Sequence, residues 1–426
     1  MTTLLPILVL GLGALAIGLA LRRRKRKSTK ENLTGPPGGI PAFRIVTLGL
    51  QGSGKTLLLT GIYRRLQTPG DRGFYLRVPH EQLIELNRWY RKAADVTEEW
   101  PRGTTRGELR EFEFSVMTQV GADAEPVVKL GYLEYPGELL TDPDAPGSTA
   151  QATLLKAIAG ADALVGIIDG FRLLQAHNGD QRGQLMLEAS LDAMINAMLP
   201  VRSPIVFVIT KWDLLDHLHP DENERLRMVR ERLMDTPGFA DLVKVHSARR
   251  IVRLIPVTAV GHDFAEYRDG AVRKNPGGRF RPSNVEAALS VVVPDILRQT
   301  EMSLDHATRA ELLAAAQRRV RMGPGEALRT LGTYVTGKAA RILISSVGAG
   351  VVAESGLSLL LDTLGPRGYD PAEHSARLAR LGEADRRAEE FVQARRRVVG
   401  ELQRQVAVLE AKLPDSRLGG DRWGDW

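Results

Sequence analysis

The chain contains no cysteine among its 426 residues. Disulfide bonds and thiolate metal sites are therefore excluded, and the absence is typical of a domain in a reducing compartment. Stability must come from packing and hydrogen bonding alone. A chain of this length is long enough for one large domain with a smaller helical region, or for two domains.

The body of the chain also lacks net charge. In total, 58 Lys and Arg residues stand against 51 Asp and Glu residues, which gives a net charge of +7. Seven of the positive charges lie in one segment, residues 22–30 (RRRKRKSTK). Without that segment the basic and acidic residues balance at 51 each. Because the rest of the chain carries no excess positive charge, we expect no nucleic-acid partner.

Charged side chains are absent from the 18 residues at 4–21 (LLPILVLGLGALAIGLAL). At about 1.5 Å per residue, such a helix spans about 27 Å, close to the thickness of a hydrocarbon core. The basic segment follows the apolar run, which is the reverse of a cleaved signal peptide. We therefore predict a retained single-pass membrane anchor in residues 1–21, with the rest of the protein in the cytoplasm.

Residues 4–27 would contact membrane lipid. The basic segment either binds anionic headgroups or only flanks the anchor, and the sequence leaves both interpretations open. Residues 22–41 combine this segment with a Gly- and Pro-rich stretch (GPPGGIP), which predicts a linker between the membrane and a folded domain.

Apolar, β-branched segments alternate with helical patterns from Phe43 onward, which predicts an α/β domain with a mostly parallel sheet at 42–300. The predicted strands are 43–48, 109–116, 127–134, 163–169, 205–210 and 251–257. The predicted helices are 56–66, 151–161, 183–198, 220–234 and 283–298.

The sequence pattern changes in residues 301–426, which we predict to be a helical region. An apolar segment at 342–361 contains Glu354, and a carboxylate is costly in lipid, so we favour a buried or interfacial helix over a second membrane segment. Within 372–413, apolar residues repeat at intervals of three and four: Val399, Leu402, Val406, Leu409 and Leu413. This seam predicts either a coiled coil that self-associates or a helix that packs on its own domain.

Residues 49–56 read GLQGSGKT, a complete match to the phosphate-binding P-loop. The predicted strand before the loop and the predicted helix after it give the order that this loop requires. Lys55 would reach the β- and γ-phosphates, where it would also act in catalysis, and the Thr56 hydroxyl would bind Mg²⁺. The backbone N–H groups around the phosphate chain would come from Gly49, Gln51, Gly52, Ser53 and Gly54.

Residues 210–213 (TKWD) follow the predicted strand 205–210. The carboxylate of Asp213 would accept hydrogen bonds from N1–H and the 2-amino group of guanine, a donor pair that adenine lacks. Lys211 would lie against the base and support the P-loop. The motif resembles the [Asn/Thr]-Lys-x-Asp element of the translation-factor and Ras-like class of P-loop GTPases. Thr210 stands where the commoner residue is Asn.

The resemblance implies a role for two further motifs. Thr258 and Ala259 lie where these GTPases carry Ser-Ala, whose backbone N–H contacts guanine O6. The string EYPG at 134–137 lies where they carry Asp-x-x-Gly. The resemblance implies that Gly137 binds the γ-phosphate through its N–H and that Glu134, one methylene longer than Asp, reaches Mg²⁺ through water.

The resemblance also implies a threonine that binds Mg²⁺ just before the second strand. Thr104 and Thr105 both fit, and we favour Thr105. Glu138 stands where many members carry a water-orienting Gln or His, so it is a candidate catalytic residue or a surface cap. Arg102 and Arg106 flank the threonines, and each is either an internal arginine finger or a solvent-exposed side chain.

The resemblance covers residues 43–300 and implies a protein that binds GTP and Mg²⁺, hydrolyses GTP to GDP and phosphate, and switches its contacts with a protein effector or regulator. The strings WPxxT and YPGE resemble those of a divergent group of bacterial GTPases. An anchor ahead of a GTPase domain is similar in layout to the β subunit of the signal-recognition-particle receptor. The alternatives are a non-hydrolysing nucleotide-binding scaffold at the membrane and an ATP-specific P-loop NTPase.

Overall fold

The computed structural model describes residues 40, 42–103, 110–135, 139, 149–248, 250–268, 271–296 and 371–419. The strands are β1 (Ala42–Leu48), β2 (Phe74–Arg77), β3 (Arg110–Val120), β4 (Asp123–Glu134), β5 (Ala163–Asp169), β6 (Ile205–Thr210), β7 (Val252–Pro256), β8 (Ala265–Arg268), β9 (Ala271–Lys274) and β10 (Arg417–Gly419). The helices are α1 (Lys55–Leu66), α2 (His80–Ala94), α3 (Thr149–Ala159), α4 (Gly170–His177), α5 (Gln181–Met198), α6 (Glu222–Met234), α7 (Pro237–Ser247), α8 (Ala287–Ser290) and α9 (Pro371–Lys412).

Eight strands form one sheet in the order β10-β7-β6-β5-β1-β4-β3-β2. The five central strands, β7 to β4 in that order, are parallel. The remaining strands pair antiparallel at the two sides. Every residue of β6 (IVFVIT) is buried, as expected for a strand covered on both faces by helices. The predicted α/β domain with a mostly parallel sheet is confirmed.

The predicted strands 163–169 and 205–210 match β5 and β6 residue for residue. The predicted strand 127–134 begins earlier, at Asp123, because β3 and β4 form a hairpin whose turn contains Gly121 with a left-handed φ of 58°. The strands that sequence reasoning missed, β2, β8, β9 and β10, have only three or four residues each. Segments this short carry too little periodicity to be recognised.

The prediction of a continuous helix at 283–298 is wrong at its start. Ser283 forms a β-bridge with Thr258, and Asn284 has a φ of 58°, so the chain cannot be helical there. Helical backbone appears only at 287–290 and 292–296 in the described part of this segment.

Helix α9 packs on the domain that precedes it. In the predicted seam, Leu402, Val406, Leu409 and Leu413 are buried in the same hydrophobic core as the sheet. Strand β10 then adds to the sheet beside β7. Four of the five predicted seam residues are therefore buried within the chain, while Val399 is half-buried. In the described part of the chain, the buried residues of α9 and of the domain before residue 300 belong to one hydrophobic core. The predicted boundary at residue 300 therefore does not divide the chain into two cores.

An ion cluster fixes α9 to the sheet. The guanidinium of Arg253 on β7 bonds to the carboxylate of Asp295 and donates from Nε to Glu410 Oε1 on α9 at 2.9 Å. Arg253 is buried, and only 10% of the Asp295 side chain is exposed. A buried charge is costly without a partner, so these contacts hold the three segments in one arrangement.

No helix among the described residues is both long and apolar enough to cross a membrane. The predicted anchor in residues 1–21, the basic segment 22–30 and the apolar segment 342–361 lie outside the described residues. The membrane location of residues 1–30 stays a prediction, and so does the buried or interfacial helix at 342–361.

We expect Leu413→Ala to lower the free energy of unfolding by about 2–5 kcal/mol, because it leaves a cavity under the end of α9. Val408 on the same helix has 57% of its surface exposed, so Val408→Ala is the matched control and should have little effect. Urea denaturation followed by circular dichroism gives both values. Equal effects for the two variants would contradict the packing of α9 on this core.

Candidate functional site

The carboxyl ends of four parallel strands meet at one edge of the sheet. Strand β1 leads into residues 49–56, here called the glycine-rich loop, and β4, β5 and β6 end at Glu134, Asp169 and Thr210. Ligands of open parallel sheets bind beyond this edge, where the connections diverge. Chain segments that lie far apart in the sequence are thereby brought into one cleft.

The glycines of the loop are required by its backbone and by its packing. Gly52 and Gly54 have φ values of 77° and 88°, which residues with a side chain rarely adopt. A Cβ on Gly49 would lie 2.8 Å from the Cβ of Ile167 on β5. Helix α1 begins at Lys55 without an acidic residue in its first turn, so its amino-terminal N–H groups and dipole favour an anion at the loop.

Lys55 is buried against the glycine-rich loop. Its Nζ donates to the carbonyl oxygens of Gly49 at 2.7 Å and Leu50 at 2.9 Å. The loop backbone thus fixes the position of the ammonium group. A phosphate chain bound in the loop would compete with these carbonyls for the same cation.

Two of the three predicted magnesium ligands contact each other. Thr56 Oγ1 donates to Glu134 Oε1 at 3.1 Å, and both side chains are buried. The carboxylate of Glu134, one methylene longer than Asp, lies directly against this hydroxyl, and its contact with Mg²⁺ through water stays a prediction. A hydroxyl and a carboxylate are donors that suit Mg²⁺, which often binds one or two protein groups and completes its shell with phosphate and water. Within the described ranges no three Asp, Glu or His residues cluster as a metal site.

Thr210 supports the glycine-rich loop from β6. Its Oγ1 donates to the carbonyl oxygen of Ser53 at 2.6 Å, and the side chain is 1% exposed. A Cβ on Gly54 would lie only 3.5 Å from the Cβ of Thr210. Thr is shorter than the commoner Asn, and its single hydroxyl donor bonds directly to the Ser53 carbonyl of the loop.

Lys211 is held in an uncommon backbone conformation, with φ at 51°. Its Nζ donates to Asp169 Oδ2 at 2.8 Å and lies 5.7 Å from the ring centroid of Phe171. Sequence reasoning missed Asp169. The signal was available, because Asp169 ends a buried strand next to β6, as a site residue in a parallel sheet does.

The carboxylate of Asp213 is buried, with 8% of the residue exposed. Its Oδ1 accepts from Thr258 Oγ1 at 2.6 Å, and that hydroxyl accepts from the N–H of Gly261 at 3.1 Å. Burial raises the pKa of Asp213 to about 6, although the Thr258 hydrogen bond acts in the opposite direction. Such a carboxylate, beside a cleft and costly to bury, is a candidate for ligand recognition.

The Thr258 hydroxyl was not predicted to act. Sequence reasoning gave Thr258 and Ala259 only a backbone contact with the base, yet the side chain of Thr258 orients the Asp213 carboxylate. Ala259 follows directly and is buried. The two predicted base-binding segments are thus joined by a hydrogen bond.

Several predicted residues lie outside the described ranges: Thr104, Thr105, Arg106, Gly137 and Glu138. The described chain before the threonines ends at Gly103, and a Cβ there would lie 3.8 Å from Gln51 Cγ in the glycine-rich loop. Arg102 is exposed. The segment that leads to the predicted threonines therefore runs beside the loop.

No protein-family model matches the chain, and a search of curated proteins finds no match. The interpretation of the site rests on its residues and their geometry.

We expect Thr210→Val to lower the free energy of unfolding by about 1–3 kcal/mol, because it removes a hydrogen bond to the Ser53 carbonyl without changing the shape of the side chain. Urea denaturation measures the loss. Thr68→Val is the control and should have little effect, because Thr68 is exposed. A Thr210→Val protein as stable as the parent would contradict the support of the loop by Thr210.

Asp213→Asn should stabilise the nucleotide-free protein in a pH-dependent way. The folded protein raises the pKa of Asp213 from 3.8 to about 6, so this group destabilises the fold progressively as the pH rises from 4 through 6. We expect the variant to match the parent near pH 4 and to gain on the order of 2–3 kcal/mol above pH 7. Urea denaturation at pH 4.5, 6 and 7.5 tests this, and a pH-independent difference would contradict it.

Proposed function

We propose that the chain is a P-loop GTP-binding protein that hydrolyses GTP to GDP and phosphate, and that acts as a conformational switch anchored to a membrane. The observation that carries the proposal is the buried carboxylate of Asp213 at the end of β6, oriented by Thr258. The same strand end supports the glycine-rich loop through Thr210. A base site and a phosphate site on one strand end fit a nucleotide.

The buried Asp213 supports guanine over adenine. An ionised carboxylate only accepts hydrogen bonds, and Thr258 uses part of the capacity of Oδ1. Guanine offers two adjacent donors, N1–H and the 2-amino group, to the remaining positions. Adenine offers no such pair and would leave the buried carboxylate without partners, which is the most effective basis for rejecting an analogue.

The phosphate chemistry assigned to the glycine-rich loop is positioning and charge stabilisation. Lys55 would exchange its bonds to the carbonyls of Gly49 and Leu50 for the phosphate oxygens, and would offset the charge that develops between the β- and γ-phosphates. Magnesium, when bound, would neutralise phosphate charge. Thr56 and Glu134 would hold it, with a threonine of the 104–105 pair as the predicted third ligand.

A non-hydrolysing scaffold is the second candidate, and Glu134 is the observation that favours it. The carboxylate contacts Thr56 Oγ1 directly and is one methylene longer than Asp, so its approach to a bound metal would differ from that of Asp. A changed metal geometry would leave nucleotide binding in place and slow the chemical step. The membrane part of the proposal is supported by the apolar run 4–21 and the basic segment that follows it.

We expect the parent protein to prefer GDP over ADP by on the order of 10⁴-fold, since adenine leaves Asp213 unpaired. Asp213→Asn should weaken GDP binding by about 100-fold or more and improve binding of xanthosine diphosphate, whose ring carbonyl matches the new amide donor. Competition with a fluorescent GDP derivative measures each affinity.

Asp192→Asn on the exposed side of α5 is the matched control and should bind like the parent. If Asp213→Asn left the preference between guanine and xanthine nucleotides unchanged, Asp213 would not contact the base.

Single-turnover hydrolysis separates the switch from the scaffold. With excess protein over GTP, the parent should release phosphate at least about 100-fold faster than Lys55→Ala, because the variant lacks the cation at the phosphate chain. Phosphate release no faster than in Lys55→Ala, together with tight GTP binding by the parent, would establish the scaffold instead.

A further inference from the structure

An insert projects from the chain just after Thr258, whose hydroxyl orients the Asp213 carboxylate. Thr258 and Ser283 exchange two backbone hydrogen bonds, at 3.2 and 2.9 Å. The chain between them, residues 259–282, therefore leaves the α/β domain and returns to it at the same point. We call these residues the insert. Its strands β8 and β9 form an antiparallel hairpin. The insert is therefore fixed at its base to the hydroxyl that orients the Asp213 carboxylate.

The hairpin of the insert holds Trp100. The indole Nε1 of Trp100 donates to the carbonyl oxygen of Val272 on β9 at 2.9 Å. The Trp100 ring also meets Phe264 edge to face, with ring centroids 6.3 Å apart. The ammonium of Lys274 lies 4.8 Å from the centroid of the same ring. Three different kinds of contact thus hold one side chain against the insert.

Lys274 also closes the segment that precedes Trp100. Its Nζ donates to the carbonyl oxygens of Lys92, Asp95 and Glu98 at 2.6, 2.6 and 2.8 Å. An ammonium group has three donors, and these contacts use all of them. The carbonyls belong to the end of α2 and the turn after it, where a cation is favoured by the helix dipole.

An apolar cluster joins the insert to helix α1. Val260, Phe264 and Ala265 of the insert are buried together, and both Trp100 and Leu57 pack against them. Leu57 directly follows Thr56, the predicted magnesium ligand on α1. The insert therefore contacts both the first turn of α1 and the segment that begins at Trp100.

From Trp100 the chain reaches the glycine-rich loop within three residues, since Gly103 lies beside Gln51. We propose that Trp100 and Lys274 are positioning residues, through which the insert holds residues 100–103 against the glycine-rich loop and so slows the release of bound nucleotide. This inference rests on the proposed function. The insert would thereby connect the end of the site that binds the base with the end that binds the phosphates.

The experiment compares Trp100→Phe and Lys274→Gln with the parent. Trp100→Phe keeps an aromatic ring but removes the donor to Val272, and Lys274→Gln removes the ammonium that closes the preceding segment. Lys129→Gln is the control, because that lysine is half-exposed and its partner on β1 is Ala42, at the end of the strand remote from the loop. The probes are fluorescent derivatives of guanosine and inosine diphosphate.

We expect each positioning variant to release fluorescent GDP about five- to tenfold faster, the effect of a net loss of about one hydrogen bond. Release of the inosine nucleotide, which lacks the 2-amino group, should accelerate by the same factor, because the contact of Asp213 with the base is unchanged. The control should release both nucleotides like the parent. Unchanged release, or acceleration confined to GDP, would overturn the positioning role.

Hydrogen exchange in the nucleotide-free proteins gives a second readout. Both positioning variants should raise amide exchange in residues 92–103, while the control should not. If the parent bound no fluorescent nucleotide yet the variants raised this exchange, the proposed function would be contradicted. The effect of Trp100 and Lys274 on nucleotide release would then be contradicted as well. If the parent bound nucleotide and exchange in 92–103 stayed unchanged in both variants, only the positioning inference would be overturned.

Discussion

The parallel pairing of β1 with β4 and β5 is the constraint on which the site depends. It places the end of β1 between Glu134 and Asp169, so the glycine-rich loop must emerge beside both carboxylates. Pairing of β5 with β6 then brings Thr210 under the loop, where its hydroxyl meets the Ser53 carbonyl. None of these groups is near another in the sequence. Register alone assembles them, and a shift of one residue would turn each side chain to the opposite face of the sheet.

The cleft concentrates charge in a place where burial makes it costly. Asp213, Glu134 and Lys55 are all buried, and the pKa of Asp213 rises to about 6 because of that burial. Elsewhere the fold buries charge in closed sets, as Arg253 does with Asp295 and Glu410. Because Asp213 destabilises the fold at neutral pH, it is a candidate for ligand recognition. The Arg253 cluster lies near the amino-terminal end of β7, away from the strand ends that form the candidate site, and holds α9 on the sheet.

Long, regular sequence patterns predicted the structure well, and short ones did not. Strands β5 and β6 were predicted to the residue, because buried parallel strands are continuous apolar runs. The glycine-rich loop, Thr56, Glu134 and Asp213 were named from the sequence as site candidates, because each lies at or just after the end of a buried strand. The insert was missed, because its strands have four residues and its contacts with Trp100 join segments about 170 residues apart. The hydroxyl of Thr258 acts through a partner 45 residues away, which no local pattern displays, whereas Asp169 was missed although its place at the end of a buried strand gave a signal.

The central claim is that one cleft binds the guanine base at Asp213 and the phosphate chain at Lys55. A crystal structure with a non-hydrolysable GTP analogue and Mg²⁺ tests it most directly. We predict that the Asp213 carboxylate accepts from N1–H and the 2-amino group, and that Lys55 Nζ leaves the carbonyls of Gly49 and Leu50 for the β- and γ-phosphates. A nucleotide bound with its base away from Asp213, or a Lys55 that kept its two backbone contacts beside a bound triphosphate, would contradict the claim.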